Sequence, residues 1–128
     1  MINKNLIIER LKELSDASWQ EQLWTGKILG QQSSFVEAVC GLFDDAGLAR
    51  ALESGRLATS YSAELCRLTN KLSELVALIA DGDDPSFVLK HTKMPAIRLT
   101  SAALLTTFLL SVENNAGHAV RQEKLAKP

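Results

Sequence analysis

Side chains that could carry out catalysis are few in this 128-residue chain. Histidine occurs only at His91 and His118, so a histidine-centred general base or nucleophile triad has few ways to assemble. The glycines are spread among predicted helix ends and a helix interior, and Gly26-Lys27 belongs to no GxGxxG or GK[ST] phosphate loop. The sequence therefore predicts that the protein is not an enzyme, with no catalytic residue and no cofactor.

Acidic residues and cysteines are the usual metal ligands, but their spacing here does not favour a metal site. Asp81, Asp83 and Asp84 resemble part of a calcium loop, yet the alternating ligand positions and the distal glutamate are missing, so a turn is expected. Cys40 and Cys66 lie among apolar residues of predicted helices, without a CxxC pair or a Cys/His cluster. We expect buried free thiols and no bound metal.

The composition is typical of one globular domain. Hydrophobic residues make up 46% of the chain and charged residues 23%, and the formal net charge is −1. A nearly neutral chain lacks the basic face that phosphate binding requires, so nucleic acid is not expected as a partner. The N-terminus carries charges every few residues and lacks the apolar run of a signal peptide, which favours the reducing cytoplasm.

The most apolar segment, residues 94–112, is too short in its uncharged part to predict a membrane span. Arg98 and Pro95 interrupt it, and the uncharged part, residues 99–112, falls short of the roughly 20 apolar residues that cross a bilayer. Its apolar residues lie on most sides of the predicted helix, which indicates burial from several directions. We expect a central core helix and no membrane partner. A homodimer seam along this helix remains an alternative.

Apolar spacing and capping residues predict helices along the whole chain. Ser18 with Glu21, and Ser34 with Glu37, have the spacing of capping boxes and predict two helix starts. Asp44 or Asp45 could cap a further short helix. The cleanest apolar stripe lies within residues 62–80, and a second long helix is expected over 95–112. The one segment with some strand character, GRLATSY at 55–61, is short.

The fold class predicted is therefore all-α: a single-domain bundle of about five to seven helices over residues 1–112, two of them long, followed by a polar tail at 113–128 that frays. The tail lacks an apolar stripe.

A binding surface is expected around the two tryptophans and the polar loop that follows them. Trp19 and Trp24 are five residues apart, which is about 500° of helical rotation, so one tryptophan can pack inside while the other faces outward. Exposed tryptophan is frequent at interface hot spots. The residues expected to contact a protein partner are Trp24, Lys27, Gln31, Gln32, Glu37, Asp44 and Asp45.

Four segments carry a resemblance to a known family: WQEQLW at 19–24, QSSFVEAVCGLFDDAGL at 32–48, KLSELVALI at 71–79 and KMPAIRLTS at 93–101. Together they resemble small all-helical bacterial proteins of the kind that act as immunity proteins of contact-dependent growth inhibition systems. The resemblance covers most of residues 1–112 and consists of packing residues, caps and turns. It implies a non-catalytic protein that binds and neutralises a cognate toxin domain. It carries over no functional residue.

The net charge of this chain differs from that expected of immunity proteins that inhibit nucleases. A nuclease inhibitor is expected to be strongly negative so that it meets a basic active site, whereas this chain has a net charge of −1. An alternative of another class also remains open: a small-ligand-binding protein or enzyme whose pocket lies between the long helices near Arg98 and His91.

Overall fold

The computed structural model describes the backbone of residues 2–27, 30 and 32–125, and the side chains of those residues up to Val112. Within these ranges the chain forms eight α-helices and one π-helical turn, and no strand. The elements are α1 Lys4–Ser15, α2 Ala17–Trp24, α3 Phe35–Cys40, the π-turn Gly41–Asp45, α4 Leu48–Glu53, α5 Arg56–Ser60, α6 Ala63–Val76, α7 Pro85–Leu89 and α8 Met94–Leu125. The predicted all-α class is confirmed.

The core forms where α8 packs against α1 and α6. Each of these helices presents one apolar stripe to the others, at the three- and four-residue spacing of a helix face. Burial of one such leucine, isoleucine or phenylalanine contributes about 1.5–3 kcal/mol. The large apolar side chains that the three helices bury fully are Ile7, Leu11, Leu14, Leu65, Leu72, Met94, Ile97, Leu104 and Phe108.

Both long helices differ in length from the prediction. The first, α6, ends at Val76 rather than near residue 80. The turns that follow bring Gly82 against Phe35 and Val36, where a β-carbon on Gly82 would lie 3.0 Å from Val36 Cγ2. The second, α8, continues to Leu125. Residues 113–125 contain many good helix formers, so helical backbone continues past the last apolar stripe. That the tail frays stays a prediction.

The predicted helix starts are partly right. Ser34 accepts a hydrogen bond from the backbone N–H of Glu37, as expected of an N-cap. Ser62, at the predicted start of α6, accepts one from the N–H of Leu65. The prediction for α2 is wrong, because its N-cap is Asp16, which accepts from Trp19 N at 3.0 Å, and not Ser18.

The segment after α3 also differs from the prediction. Asp44 and Asp45 do not cap a helix; they end the π-turn, in which Ala46 N donates to Gly41 O at 2.8 Å. The next helix, α4, begins after Gly47, whose φ of +84° places it in the left-handed region. A π-turn inserts one extra residue into a helix and is often found at functional sites.

Two further expectations are corrected. Cys40 is an exposed free thiol and Cys66 is half-buried, so neither is the fully buried thiol expected, because both lie off the inward faces of their helices. The segment 55–61, too short to predict a strand, is helical, since Arg56–Ser60 forms α5. Finally, α8 does not have its apolar residues buried on all sides.

In the described part of the chain one helix, Met94–Val112, is long and apolar enough to span a membrane by length and composition alone.

Candidate functional site

A polar pocket of about 410 Å³ lies between α1, α2, the following loop and α3; we call it the α1–α3 pocket. Each of its walls comes from a different part of the chain, so the pocket exists only when α1 packs against α3. Its lining residues are Glu9, Arg10, Glu13, Trp19, Leu23, Gly30, Gln32, Ser33 and Glu37.

The floor of the pocket is an ion pair between a half-buried arginine and a buried glutamate. Arg10 Nη1 donates to Glu13 Oε1 at 2.9 Å, and the Glu13 side chain is only 4% exposed. The other carboxylate oxygen of Glu13 accepts from Trp24 Nε1 at 2.7 Å. Both oxygens therefore have a partner, as a buried carboxylate requires. Arg10 Nη1 also donates a long hydrogen bond to Ser33 Oγ at 3.4 Å, which connects α1 to the loop between α2 and α3.

The two tryptophans of α2 lie in opposite environments. Trp24 was expected at the binding surface, but it is 3% exposed and packs edge-on against Phe35 at 5.9 Å between ring centroids. Its side chain cannot contact a partner, because Glu13 and the core enclose it. Trp19 is 37% exposed and lines the rim of the α1–α3 pocket. The helical rotation between the two positions explains the opposite outcomes.

The pocket carries excess negative charge. Glu9, Glu13 and Glu37 contribute three carboxylates, and Arg10 contributes one guanidinium, which leaves a formal charge of −2. Glu9 and Glu37 are exposed, and neither takes part in an ion pair among the described residues. Their carboxylates are free to accept hydrogen bonds from a cationic group that enters the pocket.

A second acidic pocket of about 400 Å³ lies at the π-turn; we call it the π-turn pocket. Asp44 and Asp45, both predicted as contact residues, are exposed and line it together with Glu53 and Arg50. Three carboxylates and one guanidinium again leave a formal charge of −2. The two pockets lie at the two ends of the helical segment 35–45, formed by α3 and the π-turn.

The remaining predicted contact residues have other positions. Gln32 and Glu37 lie in the α1–α3 pocket, as expected of residues at one surface. Lys27 is exposed and forms an ion pair with Glu21 at 2.9 Å, so its charge is partly compensated. Gln31 lies outside the described residues.

Arg98 is held by a buried glutamine. Arg98 Nε donates to Gln20 Oε1 at 2.9 Å, and Gln20 is 0% exposed. Burial lowers the pKa of the Arg98 guanidinium from its ordinary value. Arg98 does not line either acidic pocket.

His91 has a structural role in the turn that precedes α8. Its Nδ1 accepts from Lys93 N at 3.0 Å, and its ring packs edge-on against Phe87. Across residues 2–27, 30 and 32–112, no group of three or more His, Cys, Asp or Glu side chains is placed to hold a metal ion.

Sequence reasoning missed the contribution of α1 and α2 to the site. Glu9 and Arg10 have the sequence signature of a solvated helix face, and Glu13 has the same signature although it is buried. The only available signal for Trp19 was its rotation away from Trp24 along α2. Comparisons with protein-family models, with curated proteins and with solved structures give no match for this chain.

Proposed function

We propose that this protein is a protein-binding module of the immunity or antitoxin type, which neutralises a cognate bacterial toxin in the cytoplasm by docking against it. The observation that carries the proposal is the α1–α3 pocket, where exposed Trp19 lies beside Gln32 and Glu37, two residues singled out from the sequence as contacts. Binding of this kind requires a rigid surface and no reaction chemistry.

Trp19 is the anchor of the proposed surface. A tryptophan at the rim of a pocket supplies a large apolar contact area with few rotatable bonds, and tryptophan is enriched among the residues that dominate binding energy. Polar groups surround it, including Gln32 and Ser33. An apolar anchor within a polar rim is the usual anatomy of a protein interface.

The charge of the pocket defines the complementary group. A lysine or arginine side chain of the partner would meet the carboxylates of Glu9 and Glu37, and the face of Trp19 would add a cation–π contact. Two acidic pockets thus occur on a chain that is nearly neutral as a whole, since the α1–α3 pocket and the π-turn pocket each carry −2. A partner that spans the segment 35–45 would present basic residues to both ends of it, which favours fast and specific association.

Co-expression with the product of the adjacent gene tests the proposal. We expect the two proteins to purify together and the chain to restore growth of cells that the neighbouring product inhibits. Trp19→Ala should weaken the complex by about 2 kcal/mol, roughly 30-fold in Kd, and Glu37→Lys should weaken it through charge reversal. Phe87→Ala and Glu74→Lys are the matched controls, because both residues are exposed and neither lines an acidic pocket.

One outcome would contradict the proposed function, and another would contradict only the proposed contact surface. A chain that neither binds the neighbouring product nor restores growth contradicts the proposed function. Equal loss of affinity in Trp19→Ala and Phe87→Ala contradicts the assignment of the α1–α3 pocket as the contact surface.

A further inference from the structure

The outward face of α8 is apolar and uncovered. The inward face packs into the core through Ile97, Leu104 and Phe108, whereas Leu99 is 75% exposed and Leu110 is 52% exposed. We call the exposed residues on the opposite side the outer face of α8: Leu99, Ala102, Ala103, Thr106, Leu109 and Leu110. Leu99 and Leu110 are eleven residues apart, which is three turns, so they stand almost in line along the helix.

No charged residue occurs between positions 99 and 112. A basic or acidic partner would therefore find no counter-charge on this face, in contrast to the two acidic pockets. The occupant that fits must itself be apolar and uncharged over about three turns of helix. A second copy of this same face meets that requirement.

The order of side chains along the face is self-complementary. Leu99, Ala103, Thr106 and Leu110 follow the alternating four- and three-residue spacing of a coiled-coil seam. When two copies run antiparallel about a two-fold axis near residues 104–105, Leu99 of each copy meets Leu110 of the other. Ala103 then meets Thr106, so the small residues meet at the centre and let the helices approach closely. Large side chains pack on large ones at both ends.

We infer that two copies of this chain associate as an antiparallel homodimer through the outer faces of α8. The contact is isologous, as two-fold dimers require. Two helix faces of three turns bury on the order of 800 Å² in total, below the 1,200–2,000 Å² of stable complexes, so the dimer is weak and reversible. The proposed dimer does not depend on toxin binding, since it uses a face that lines neither acidic pocket.

Sedimentation equilibrium over a range of protein concentrations measures the dimer. The expected mass rises from 14.0 kDa towards twice that value as the concentration increases. Leu99→Glu should weaken dimerisation at least tenfold. Leu78→Glu is the matched control, because Leu78 is 55% exposed and lies outside α8, and it should leave dimerisation unchanged. Both variants should keep the helical circular dichroism spectrum of the parent, since the two leucines are exposed.

A charge-pair variant tests the antiparallel register. In Leu99→Glu combined with Leu110→Lys, opposite charges meet at both ends of an antiparallel pair, so the double variant should dimerise more tightly than either single variant. A parallel pair would bring like charges together, and the double variant would then be the weakest.

Disulfide trapping gives a second measure of register, in a background where Cys40→Ser and Cys66→Ser remove the native thiols. A mixture of Leu99→Cys and Leu110→Cys chains should cross-link between the two kinds of chain. Neither variant should cross-link to itself, because the equivalent positions of an antiparallel pair stand roughly 16 Å apart along the axis, beyond disulfide reach.

Three outcomes would overturn the inference. The first is a monomer at every concentration up to about 1 mM, the range within which a weak, reversible dimer still associates. The second is self-cross-linking of Leu99→Cys, which indicates a parallel pair. The third is a monomer that floats with lipid vesicles and loses flotation in Leu99→Glu, which assigns the outer face to a membrane surface.

Discussion

The side chain of Arg10 crosses the helical segment 35–45 directly over Gly41. A β-carbon at Gly41 would lie 2.5 Å from Arg10 Nε, closer than β-carbons approach other atoms, and 3.2 Å from Arg10 Cδ, which is a tight contact. Gly41 itself has ordinary helical angles, with φ −60° and ψ −41°, so its role is close approach and not an unusual backbone conformation. The absence of a side chain at Gly41 lets Arg10 reach Glu13 and form the floor of the α1–α3 pocket.

Gly41→Ala should therefore destabilise the protein by about 1–3 kcal/mol, the usual range for an overpacked contact. In an Arg10→Ala background the same change should be neutral or stabilising, because alanine is favoured over glycine in a helix by about 1 kcal/mol. Urea denaturation of the four proteins gives the coupling energy. Equal effects of Gly41→Ala in both backgrounds would show that Arg10 does not constrain Gly41.

Glu13 is the residue on which the pocket floor depends. Glu13→Ala leaves the Arg10 guanidinium and the Trp24 indole N–H without their acceptor, so a loss of about 3 kcal/mol in unfolding free energy is expected. Glu13→Gln keeps one acceptor oxygen and should cost less. Glu9→Ala, at an exposed position one turn earlier, is the control and should change stability by less than about 0.5 kcal/mol.

Denaturant unfolding followed by tryptophan fluorescence reports these changes directly, because Trp24 contacts Glu13. If Glu13→Ala and Glu9→Ala unfold at the same urea concentration, the buried hydrogen bonds to Glu13 do not stabilise the fold.

Gln20 joins three helices through one amide. Its Nε2 donates to the carbonyl oxygens of Glu13 at 3.0 Å and Leu14 at 2.8 Å, which satisfies acceptors in the last turn of α1. Gln20→Leu keeps the approximate volume but leaves these groups and Arg98 unpaired, so a loss of about 2–4 kcal/mol is expected. Gln22→Leu, at an exposed position of the same helix, should leave the melting temperature close to that of the parent. A stable Gln20→Leu variant would contradict the structural role of the amide.

Much of the fold can be predicted from the sequence, because the residues that specify each helix lie close together in the chain. The stripe of Leu65, Leu68 and Leu72 predicts α6 with its buried face, and Ser34 caps the helix that its position predicts. Such features depend on residues within one or two turns, so a single sequence is enough to find them.

The site can be predicted from the sequence only in part, because it forms where residues that are distant in the chain pack together. Gln32 and Glu37 were found through their polar, helix-starting context, whereas Arg10 has no sequence feature that distinguishes it from a solvated arginine. Its partner Gly41 is 31 positions away, as their numbers show. The π-turn is missed for the same reason, since nothing local in GLFDD indicates an extra residue in the helix.

The start of α2 shows how two local signals compete. Asp16 and Ser18 both stand before a polar first turn, and the structure selects Asp16. Asp16→Ala should cost about 1 kcal/mol, the usual value of an N-cap, whereas Ser18→Ala should be close to neutral. Thermal denaturation of both variants distinguishes them. A larger loss in Ser18→Ala would place the helix start two residues later than the structure does.

The pair Glu64 and Arg67 on α6 makes stability depend on pH in a defined direction. The hydrogen bonds from Arg67, with Nε at 2.9 Å from Glu64 Oε2, lower the pKa of the Glu64 carboxyl below its ordinary value. Because the folded pKa is the lower one, the pair stabilises the fold above the unfolded pKa, and this contribution is lost as the pH falls through the folded pKa. Carboxyl-carbon NMR titration should show the low pKa in the parent and an ordinary value in Arg67→Gln. Lys71→Gln removes another exposed cation of the same helix and should leave the Glu64 pKa unchanged, whereas equal shifts in both variants would assign the effect to general charge and not to the hydrogen-bonded pair.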